Sequence, residues 1–410
     1  MLSMKRSFLF LQGPVGPFFR TLGTLLKEKG QRVTRVNFNG GDAYDWRGPG
    51  AINLRERARD WPEYFFELTR KYEITDLVTF GDCRPQLRAA TKVARSQDIR
   101  CHVFEEGYIR PDWITLENFG VNGHSLMPKS PEWYLEIAAQ LPDELLIIRA
   151  PCPMRVMMMY SIAYNIAKFS TQPLFPFFRN HRPYSERKAV MRWSVKTVEM
   201  KRQARKDHEF QRRFLDSGRK FFLFCLQLGS DYQIRSHSPF ENMDAAISTE
   251  LRSYAHNLPQ EANLLVKSHP MELWPAELEI LTMDLAKELE IEKRVFFTTG
   301  GFLTPYIRAS EGMVTVNSTA GMASLEHNRP TIALGTAIYD LPGLTYGEGL
   351  DNFWTRPAPP DFTLFSAFKK VLIHETQING NFYTSGGIQL ALPKVAARLM
   401  GRPNGVKKTH

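Results

Sequence analysis

Carboxylates stand at two places in the chain where a predicted β-strand ends. Glu105 and Glu106 lie in Phe104-Glu-Glu-Gly, and Asp231 follows the apolar run that begins at Cys225. An adjacent carboxylate raises the pKa of its neighbour, so one of the two glutamates is a candidate general acid/base. Asp231 is a candidate nucleophile or base. The alternatives are acidic capping of a helix N-terminus for the glutamates and a simple turn for Asp231.

A second set of side chains is suited to holding an anion. Lys267 and His269 lie at the end of one predicted strand, and Ser318 and Thr319 open a predicted helix after another. Backbone N–H groups at a helix start favour a phosphate, and the Lys and His add donors and charge. Glu326, two turns into that helix, is placed to accept hydrogen bonds from a ribose. The candidate residues for a nucleotide-phosphate site are Gln227, Lys267, His269, Pro270, Ser318, Thr319, Gly321 and Glu326.

Glycines and polar residues follow several of the first predicted strands. The glycines let a ligand approach the backbone, and polar groups beside aromatic ones suit a sugar or a lipid headgroup. For Gly13 and Gly16 a plain tight turn is an equal alternative, because the spacing is not GxGxxG and the prolines between them remove N–H donors. The candidate residues for such a site are Gly13, Gly16, Asn39, Gly40, Asp42, Asp82 and Arg110.

No metal-binding pattern accompanies these clusters. The four cysteines form no CxxC pair, the histidines are not clustered, and no DxD motif lies near the predicted phosphate site. A disulfide framework and a structural zinc site are therefore not expected. We expect neither a metal nor another cofactor, with the phosphate charge neutralised by Lys267, His269 and the helix dipole.

These clusters need a scaffold that brings strand ends together, and the chain pattern predicts one. Short apolar runs alternate with helix-patterned segments over residues 7–107 and again from residue 220. Among them, the pattern predicts helices at Pro85–Ser96 and Pro275–Glu288 and a strand at Asn263–Lys267. Such alternation predicts parallel sheets covered by helices, with ligands at the carboxyl ends of the strands. The predicted fold is α/β, with two Rossmann-like domains facing a cleft and a helical insertion between them. The predicted segments are an N-terminal domain (1–125), the insertion (126–215), a C-terminal domain (216–360) and C-terminal helices with a tail (361–410).

The composition indicates a folded protein with a basic surface. Hydrophobic residues make up 43% of the 410 residues, charged residues 23%, and the formal net charge is +10. A basic surface suits nucleic acid, an anionic membrane face or a polyanionic substrate. We expect no nucleic acid partner, because the chain has no RNP, helix-turn-helix or zinc pattern.

Two neighbouring segments raise the question of membrane contact. The first apolar run, Phe8–Leu11, is too short for a signal peptide, and no stretch is long and apolar enough to span a bilayer. However, residues 154–169 are apolar nearly all round, and residues 187–213 are strongly basic. Such a pair of helices suits an anionic bilayer surface. The alternative is a helical linker packed between the two domains.

Taken in order, the motifs resemble those of bacterial capsule polysaccharide proteins of the KpsS/LipB type. The segments that carry the resemblance extend from about residue 7 to about residue 354. They are FLFLQGPVGPFF, NFNGGDAYDW, FEEGYIRPDWITLE, LQLGSDYQI, KSHP and NSTAGMASLEHNRP. Residues 130–215 carry no such segment. The resemblance implies a GT-B-like layout, with the acceptor on the N-terminal domain and a CMP-activated sugar on the C-terminal domain.

The resemblance also implies a reaction. The chain would be a retaining glycosyltransferase that moves β-Kdo from CMP-Kdo to lysophosphatidylglycerol, beginning the poly-Kdo linker of a capsular polysaccharide. Asp231 falls on the nucleophile position of the family pattern, and His269 and Pro270 fall on its CMP side. Ser230 stands where the related segment carries a second acid. The assignment of Asp231 therefore requires that the second acid of that pair is the nucleophile.

The partners expected from the resemblance are CMP-Kdo, a phospholipid acceptor, the inner face of the inner membrane and other capsule synthesis or export proteins. The expected location is cytoplasmic and peripheral to that membrane. The main alternative is a non-catalytic component of capsule assembly or export that binds lipid-linked polysaccharide. A different nucleotide sugar on the same scaffold is the other alternative.

Overall fold

The computed structural model describes residues 5–143, 147–178, 186–229, 232–257 and 261–401, which form two α/β units. Within these residues the strands are β1 (Ser7–Phe10), β2 (Arg32–Asn37), β3 (Ala51–Asn53), β4 (Asp76–Phe80), β5 (Arg100–Glu106), β6 (Trp113–Asn118), β7 (Phe221–Cys225), β8 (Asn263–Lys267), β9 (Val295–Thr298), β10 (Gly312–Thr315), β11 (Thr331–Ala333) and β12 (Gln377–Asn379).

The helices of the same residues connect these strands. They are α1 (Phe18–Glu28), α2 (Gly40–Trp46), α3 (Trp61–Lys71), α4 (Pro85–Ser96), α5 (Pro131–Gln140), α6 (Met154–Ser170), α7 (Glu186–Asp216), α8 (Tyr232–His237), α9 (Met243–His256), α10 (Pro275–Glu288), α11 (Leu303–Ala309), α12 (Ala320–Glu326), α13 (Leu350–Phe353), α14 (Phe362–Glu375) and α15 (Ser385–Met400). None of the described helices is both long enough and apolar enough to cross a bilayer.

The first unit is built on a sheet with the strand order β12-β6-β5-β4-β1-β2-β3. Strands β1 to β5 are parallel, whereas β6 pairs antiparallel with β5 and β12 antiparallel with β6. Phe8 and Phe10 of β1 pack into one apolar cluster and Leu9 into another, on the opposite face. All three side chains are fully buried, as expected of a strand covered on both faces.

The second unit is built on a fully parallel sheet with the strand order β11-β10-β7-β8-β9. Phe222 and Phe224 of β7 pack on one face of this sheet, and Phe221 and Leu223 pack on the other. Phe214 of α7 joins the second cluster and contacts the Phe221 ring at a centroid distance of 5.0 Å. An aromatic side chain near the C-terminal end of the long basic helix α7 thus packs the helix against this sheet.

The predicted α/β class with two Rossmann-like sheets is confirmed. Several elements have the predicted bounds, including α4, β8 and α10. Two strands of the first sheet, β6 and β12, were not predicted. They pair across more than 250 residues of sequence, with Gln377 opposite Thr115. No local pattern reports such a pairing.

The structure divides the chain differently from the predicted boundaries. One unit contains residues 1–127, 142–179 and 370–410, and the other contains residues 128–141 and 180–369. The predicted insertion (126–215) is therefore not a separate domain, because α6 belongs to the first unit while α5 and α7 belong to the second. The predicted tail (361–410) is not separate either, since β12 completes the first sheet and α15 packs in its core.

Candidate functional site

The two glutamates at the end of β5 have different surroundings. Successive side chains of a strand point to opposite faces, so Glu105 and Glu106 diverge. Glu106 Oε1 accepts a hydrogen bond of 2.5 Å from the hydroxyl of Tyr383. Glu105 Oε1 accepts one of 3.1 Å from the backbone N–H of Glu106. Burial and the Glu106 charge hold the pKa of Tyr383 well above its ordinary value, so this hydroxyl stays a donor.

Asp82, predicted on the acceptor side, lies just after β4 and is buried with a histidine beside it. Its Oδ2 is 2.9 Å from His124 Nδ1 and accepts the N–H of Val121 at 3.3 Å, and its Oδ1 accepts from Cys83 Sγ at 3.2 Å. Burial acts to raise the pKa of Asp82, but these donors outweigh it and the pKa lies below its ordinary value. The carboxylate therefore orients the His124 ring.

The ligand atoms of Asp82, Cys83 and His124 lie within 4.8 Å of one another and are of types that zinc accepts. Each already has a hydrogen-bond partner within the group. The expectation that this protein uses no metal stays a prediction. Arg110, the other charged acceptor-side candidate, is exposed in the turn after β5.

The contact between α2 and α6 is formed by Asn39, Gly40 and Asp42. Asn39 Oδ1 caps α2 by accepting the N–H groups of Gly41 and Asp42 at 2.8 and 3.2 Å. Asp42, Asn39 and Gln12 all hydrogen-bond the hydroxyl of Tyr164 on α6, at 2.9 to 3.0 Å.

This packing gives a structural role to the three residues that were predicted to form part of a sugar or headgroup site. Asn39 and Asp42 are buried and have partners inside the unit. A Cβ on Gly40 would lie 1.5 Å from Thr171 Oγ1, so this glycine allows the two helices to approach each other.

The glycines after β1 play different local roles. A Cβ on Gly13 would lie 2.6 Å from the ring of Phe19, so Gly13 gives room to the core. Gly16 has a left-handed φ of 104°, and its N–H donates to Asp45 Oδ2 at 3.0 Å. Burial raises the pKa of Asp45 to about 7. The plain-turn alternative therefore describes this segment.

Lys267 ends β8 and is buried, with only 5% of its surface exposed. Within the residues that the structure describes, its ammonium group has neither a hydrogen bond nor an ion pair. Burial lowers the pKa of Lys267, opposed by the nearby Cys225 and Asp207. The hydroxyl of Ser268, the next residue, is also buried and lacks a hydrogen-bond partner among the described residues. The end of β8 thus holds an ammonium group and a hydroxyl that have no hydrogen-bond acceptor among the described residues.

His269 follows directly and has a defined ring orientation. Its Nδ1 accepts the backbone N–H of Met271 at 3.1 Å. The proton of the neutral ring must therefore be on Nε2, which makes Nε2 a hydrogen-bond donor. Pro270 is exposed, and its ring keeps the turn between these two residues rigid.

Gln227 and Asn317 connect two strand ends of the same sheet. Gln227 Nε2 donates to Asn317 Oδ1 at 2.8 Å, and the Asn317 N–H donates to Gln227 Oε1 at 2.9 Å. Both side chains are buried. Gln227 is thus a positioning residue that holds the turn after β7 against the turn after β10.

The predicted residues of α12 are spread along a short helix. Ser318 and Thr319 are half-buried at its start, and Ser318 Oγ accepts the N–H of Ala320 at 3.2 Å. A Cβ on Gly321 would lie 2.3 Å from the hydroxyl of Tyr339, so this glycine is required by packing. Glu326 is the last residue of the helix, is exposed and forms an ion pair with Lys369.

Asp231, the predicted nucleophile, lies outside the described residues, as does Ser230. Gly229, the residue before them, is described, and a hydrogen bond to Glu272 holds it in place. Glu272 Oε2 accepts the N–H of Gly229 at 3.0 Å, and its Oε1 accepts the N–H groups of Leu273 and Trp274 at 2.8 and 3.1 Å. Glu272 was not predicted from the sequence, although it lies two residues beyond the His269-Pro270 pair.

In chemical terms, the first unit places carboxylates suited to proton transfer at the carboxyl edge of its sheet. The second unit places a buried ammonium, a hydroxyl and an oriented imidazole at the corresponding edge of its own sheet. The first set can move protons and the second can hold an anion. Each set lies where open parallel sheets bind ligands.

Comparison with known proteins shows the relatives of this chain. A family model described as capsule polysaccharide biosynthesis protein matches residues 75–383. The capsule polysaccharide export protein KpsS of Escherichia coli is 32% identical over 386 residues, covering 93% of this chain and 98% of that protein. The capsule polysaccharide modification protein LipB of Neisseria meningitidis serogroup B is 33% identical over 393 residues, covering 94% and 93%.

Among solved structures, the β-Kdo 2,7 transferase of Thermosulfurimonas dismutans KpsC is 13% identical and has a TM-score of 0.46. The match covers 96% of this chain and 98% of that one. No residue role follows from so distant a likeness. The family match and the two sequence relatives suffice for one conclusion: this chain belongs to the capsule polysaccharide biosynthesis protein family.

Proposed function

We propose that this protein is a retaining glycosyltransferase that moves β-Kdo from CMP-Kdo to lysophosphatidylglycerol. The observation that carries the proposal is Lys267 at the end of β8: the residue is 5% exposed, and its ammonium group has no hydrogen bond or ion pair among the described residues. Burial disfavours the charged form of a lysine that has no counter-ion, and a bound anion relieves that cost. The phosphate of a nucleotide sugar is such an anion, and His269, two residues further along the chain, adds an imidazole at the same strand end.

The proposed chemistry proceeds in two inversions, which together retain configuration. In the first, the Asp231 carboxylate forms a bond to the anomeric carbon while the bond from that carbon to the phosphate oxygen breaks, and CMP leaves. In the second, the acceptor hydroxyl attacks the same carbon and gives its proton to Glu105 or Glu106. The bond to Asp231 breaks and its carboxylate is regenerated. No metal is required, since Lys267 and His269 stabilise the leaving phosphate.

The lipid acceptor is supported by an apolar surface on α6. Met159, Ile162 and Ile166 are 68%, 56% and 63% exposed. Their i, i+3 and i+7 spacing places them in one stripe of the helix. The exposed Arg155 lies on the same helix. An apolar stripe with a cation suits contact with an anionic bilayer, which would bring the enzyme to its acceptor on the inner face of the membrane.

The test is incubation of the purified protein with CMP-Kdo and a short-chain lysophosphatidylglycerol, in buffer that contains EDTA. We expect a product heavier than the acceptor by one Kdo, and no product from Asp231→Asn. The exposed Asp244 provides a matched control, since Asp244→Asn should leave transfer unchanged. Transfer that persists in Asp231→Asn, or that requires a metal, would contradict the proposed mechanism.

A second candidate function is a non-catalytic role in capsule assembly or export, with the protein binding lipid-linked polysaccharide. The name of the Escherichia coli relative, an export protein, favours it. Under this alternative, Asp231→Asn would leave capsule production in cells intact, and the purified protein would form no product with any nucleotide sugar.

A further inference from the structure

A second buried lysine lies on the helix that packs against the C-terminal sheet. Lys196 of α7 is 6% exposed. Like Lys267, it has neither a hydrogen bond nor an ion pair within the part of the chain that the structure describes. The pKa of Lys196 lies below its ordinary value, because burial and the charge of Arg192 outweigh three carboxylates that act to raise it. Both side chains are covered along most of their length, and neither ammonium group is in direct contact with a carboxylate of a described residue, so each offers a positive charge to an anionic ligand.

The carboxylates near Lys196 are already engaged elsewhere. Glu199 forms an ion pair with Arg192 at 2.7 Å, and Glu272 accepts three backbone N–H groups of the turns near β7 and β8. Asp207 packs against the backbone at Gly300. A Cβ added to that glycine would lie 2.1 Å from Asp207 Oδ2. None of the three makes an ion pair with Lys196, so the Lys196 charge is not neutralised by a direct contact.

The two lysines belong to the same region of the unit. The carboxylate of Asp207 interacts electrostatically with both Lys267 and Lys196, and burial raises its own pKa. Gly300 follows β9, which pairs with β8, and the Ser268 N–H donates to Thr298 O at 2.9 Å. The carboxyl ends of β8 and β9 are therefore adjacent, and α7 brings its inward-facing charges to them.

The spacing of residues along α7 explains why Lys196 lies near the carboxyl ends of β8 and β9. Arg192, Lys196, Asp207, Gln211 and Phe214 lie at spacings that place them on one stripe of the helix. Phe214 packs on the sheet, and Gln211 exchanges hydrogen bonds with the backbone of Phe302 at 2.7 and 3.0 Å. The same stripe becomes charged towards the N-terminus, where Arg192 Nε donates to Leu273 O at 2.8 Å.

We propose that Lys196 and Lys267 together form one binding site for a ligand that carries two anionic groups. A nucleotide-activated acidic sugar, with its phosphate and its carboxylate, is of this class. The proposal rests on the proposed function for the identity of that ligand, but the two-cation site follows from the burial of the lysines and their lack of partners. It makes Lys196, far from the sequence motifs, a residue that determines which donors bind.

The test measures thermal stability and affinity in the same variants, with CMP, CMP-Kdo and inorganic pyrophosphate as probes. In Lys196→Met the methionine fills the space of the lysine without the charge. We expect the melting temperature of the ligand-free variant to rise, because an unpaired buried charge has been removed. We expect its affinity for pyrophosphate and for CMP-Kdo to fall about 10- to 100-fold, the loss expected for one charged hydrogen bond.

Two controls separate this from a structural role of the lysine. Lys206→Met changes an exposed lysine of the same helix and should alter neither quantity. Lys196→Arg retains the charge and should recover most of the affinity. A Lys196→Met variant that binds pyrophosphate and CMP-Kdo as the wild type does would overturn the proposal, whatever its melting temperature.

The outcomes also separate this proposal from the proposed function. If Lys267→Met loses CMP-Kdo binding while Lys196→Met does not, the two-cation site is wrong and the transferase proposal stands. If neither CMP nor CMP-Kdo binds, but pyrophosphate binds and depends on both lysines, the site stands and CMP-Kdo is not its ligand.

Discussion

The hydroxyl of Tyr383 donates a 2.5 Å hydrogen bond to Glu106 Oε1, across 277 residues of sequence. Glu105, its neighbour on β5, points to the other face of the sheet and approaches the turn after β4, where a Cβ on Gly81 would lie 3.5 Å from its Oε2. The Tyr383 hydroxyl occupies one oxygen of Glu106, so that oxygen is not available to take a proton from an acceptor hydroxyl. This relationship distinguishes the two acid/base candidates.

We therefore expect Glu105→Gln to lower kcat for sugar transfer by about 10²–10⁴-fold, the usual cost of losing an acid/base group. Glu106→Gln should cost less, since its amide can still accept from Tyr383. Initial rates at saturating donor and acceptor would measure the effect of each substitution on kcat. Glu311 is exposed, and Glu311→Gln serves as the control. The reverse order of effects would assign the role to Glu106.

The buried pair of His102 and Asp76 predicts a pH dependence of stability. Asp76 Oδ1 lies 2.8 Å from His102 Nε2 and 3.0 Å from Arg100 Nε, and Arg6 Nε donates to Oδ2 at 2.8 Å. Burial is the main cause that lowers the pKa of His102, and the two guanidinium groups act in the same direction. His102 is therefore neutral and donates to Asp76.

Below about pH 6.5 an unfolded histidine takes up a proton that the folded His102 resists. The unfolded state then binds more protons, so the free energy of unfolding falls as the pH falls. In His102→Gln this slope should be smaller by up to about 1.4 kcal/mol per pH unit. Urea unfolding from about pH 8 to about pH 5 measures it. Replacing the exposed His256 by Gln should leave the slope unchanged.

Glu250 of α9 predicts a substitution that stabilises the protein. Its side chain is fully buried, and neither carboxyl oxygen has a hydrogen-bond partner among the described residues. Burial raises its pKa well above the ordinary value, so the folded state holds a proton that the unfolded state releases above about pH 4.3. The wild type therefore loses stability as the pH rises above that value.

At about pH 7 we expect Glu250→Met to raise the free energy of unfolding by roughly 1–3 kcal/mol, because a polar group without partners leaves the core. Unfolding curves at two pH values would show a larger gain at the higher pH. Glu279→Met, on the exposed surface of α10, serves as control. A destabilised Glu250→Met would mean that the carboxyl has a partner not seen in the fold.

The apolar stripe on α6 predicts lipid binding that depends on single side chains. Ile162→Glu and Ile166→Glu should each weaken binding to phosphatidylglycerol vesicles by at least about tenfold, since burying one such side chain is worth roughly 1.5–3 kcal/mol. Ile280 on α10 is 61% exposed and provides a matched control, Ile280→Glu. Cosedimentation with vesicles measures the effect, and equal binding by all three variants would remove α6 from the membrane surface.

The sequence alone predicted elements whose pattern is local. The bounds of α4, β8 and α10 follow from apolar periodicity and from proline at the helix starts, which act over a few residues. Because parallel strands end at one edge of a sheet, it also predicted the placement of Glu105 and Lys267 at strand ends. The ordered motifs indicated the family for the same reason: they are short and contiguous.

Only the tertiary structure decided what each polar residue contacts. Asn39 and Asp42 looked like a sugar site, but Tyr164 of α6 takes up their hydrogen bonds. Lys196 looked like one charge in a basic helix, yet it is buried. These outcomes depend on pairings between segments far apart in the chain, which neither composition nor spacing records. Whether a polar side chain meets water, a protein partner or a ligand is set by the burial that such pairings create.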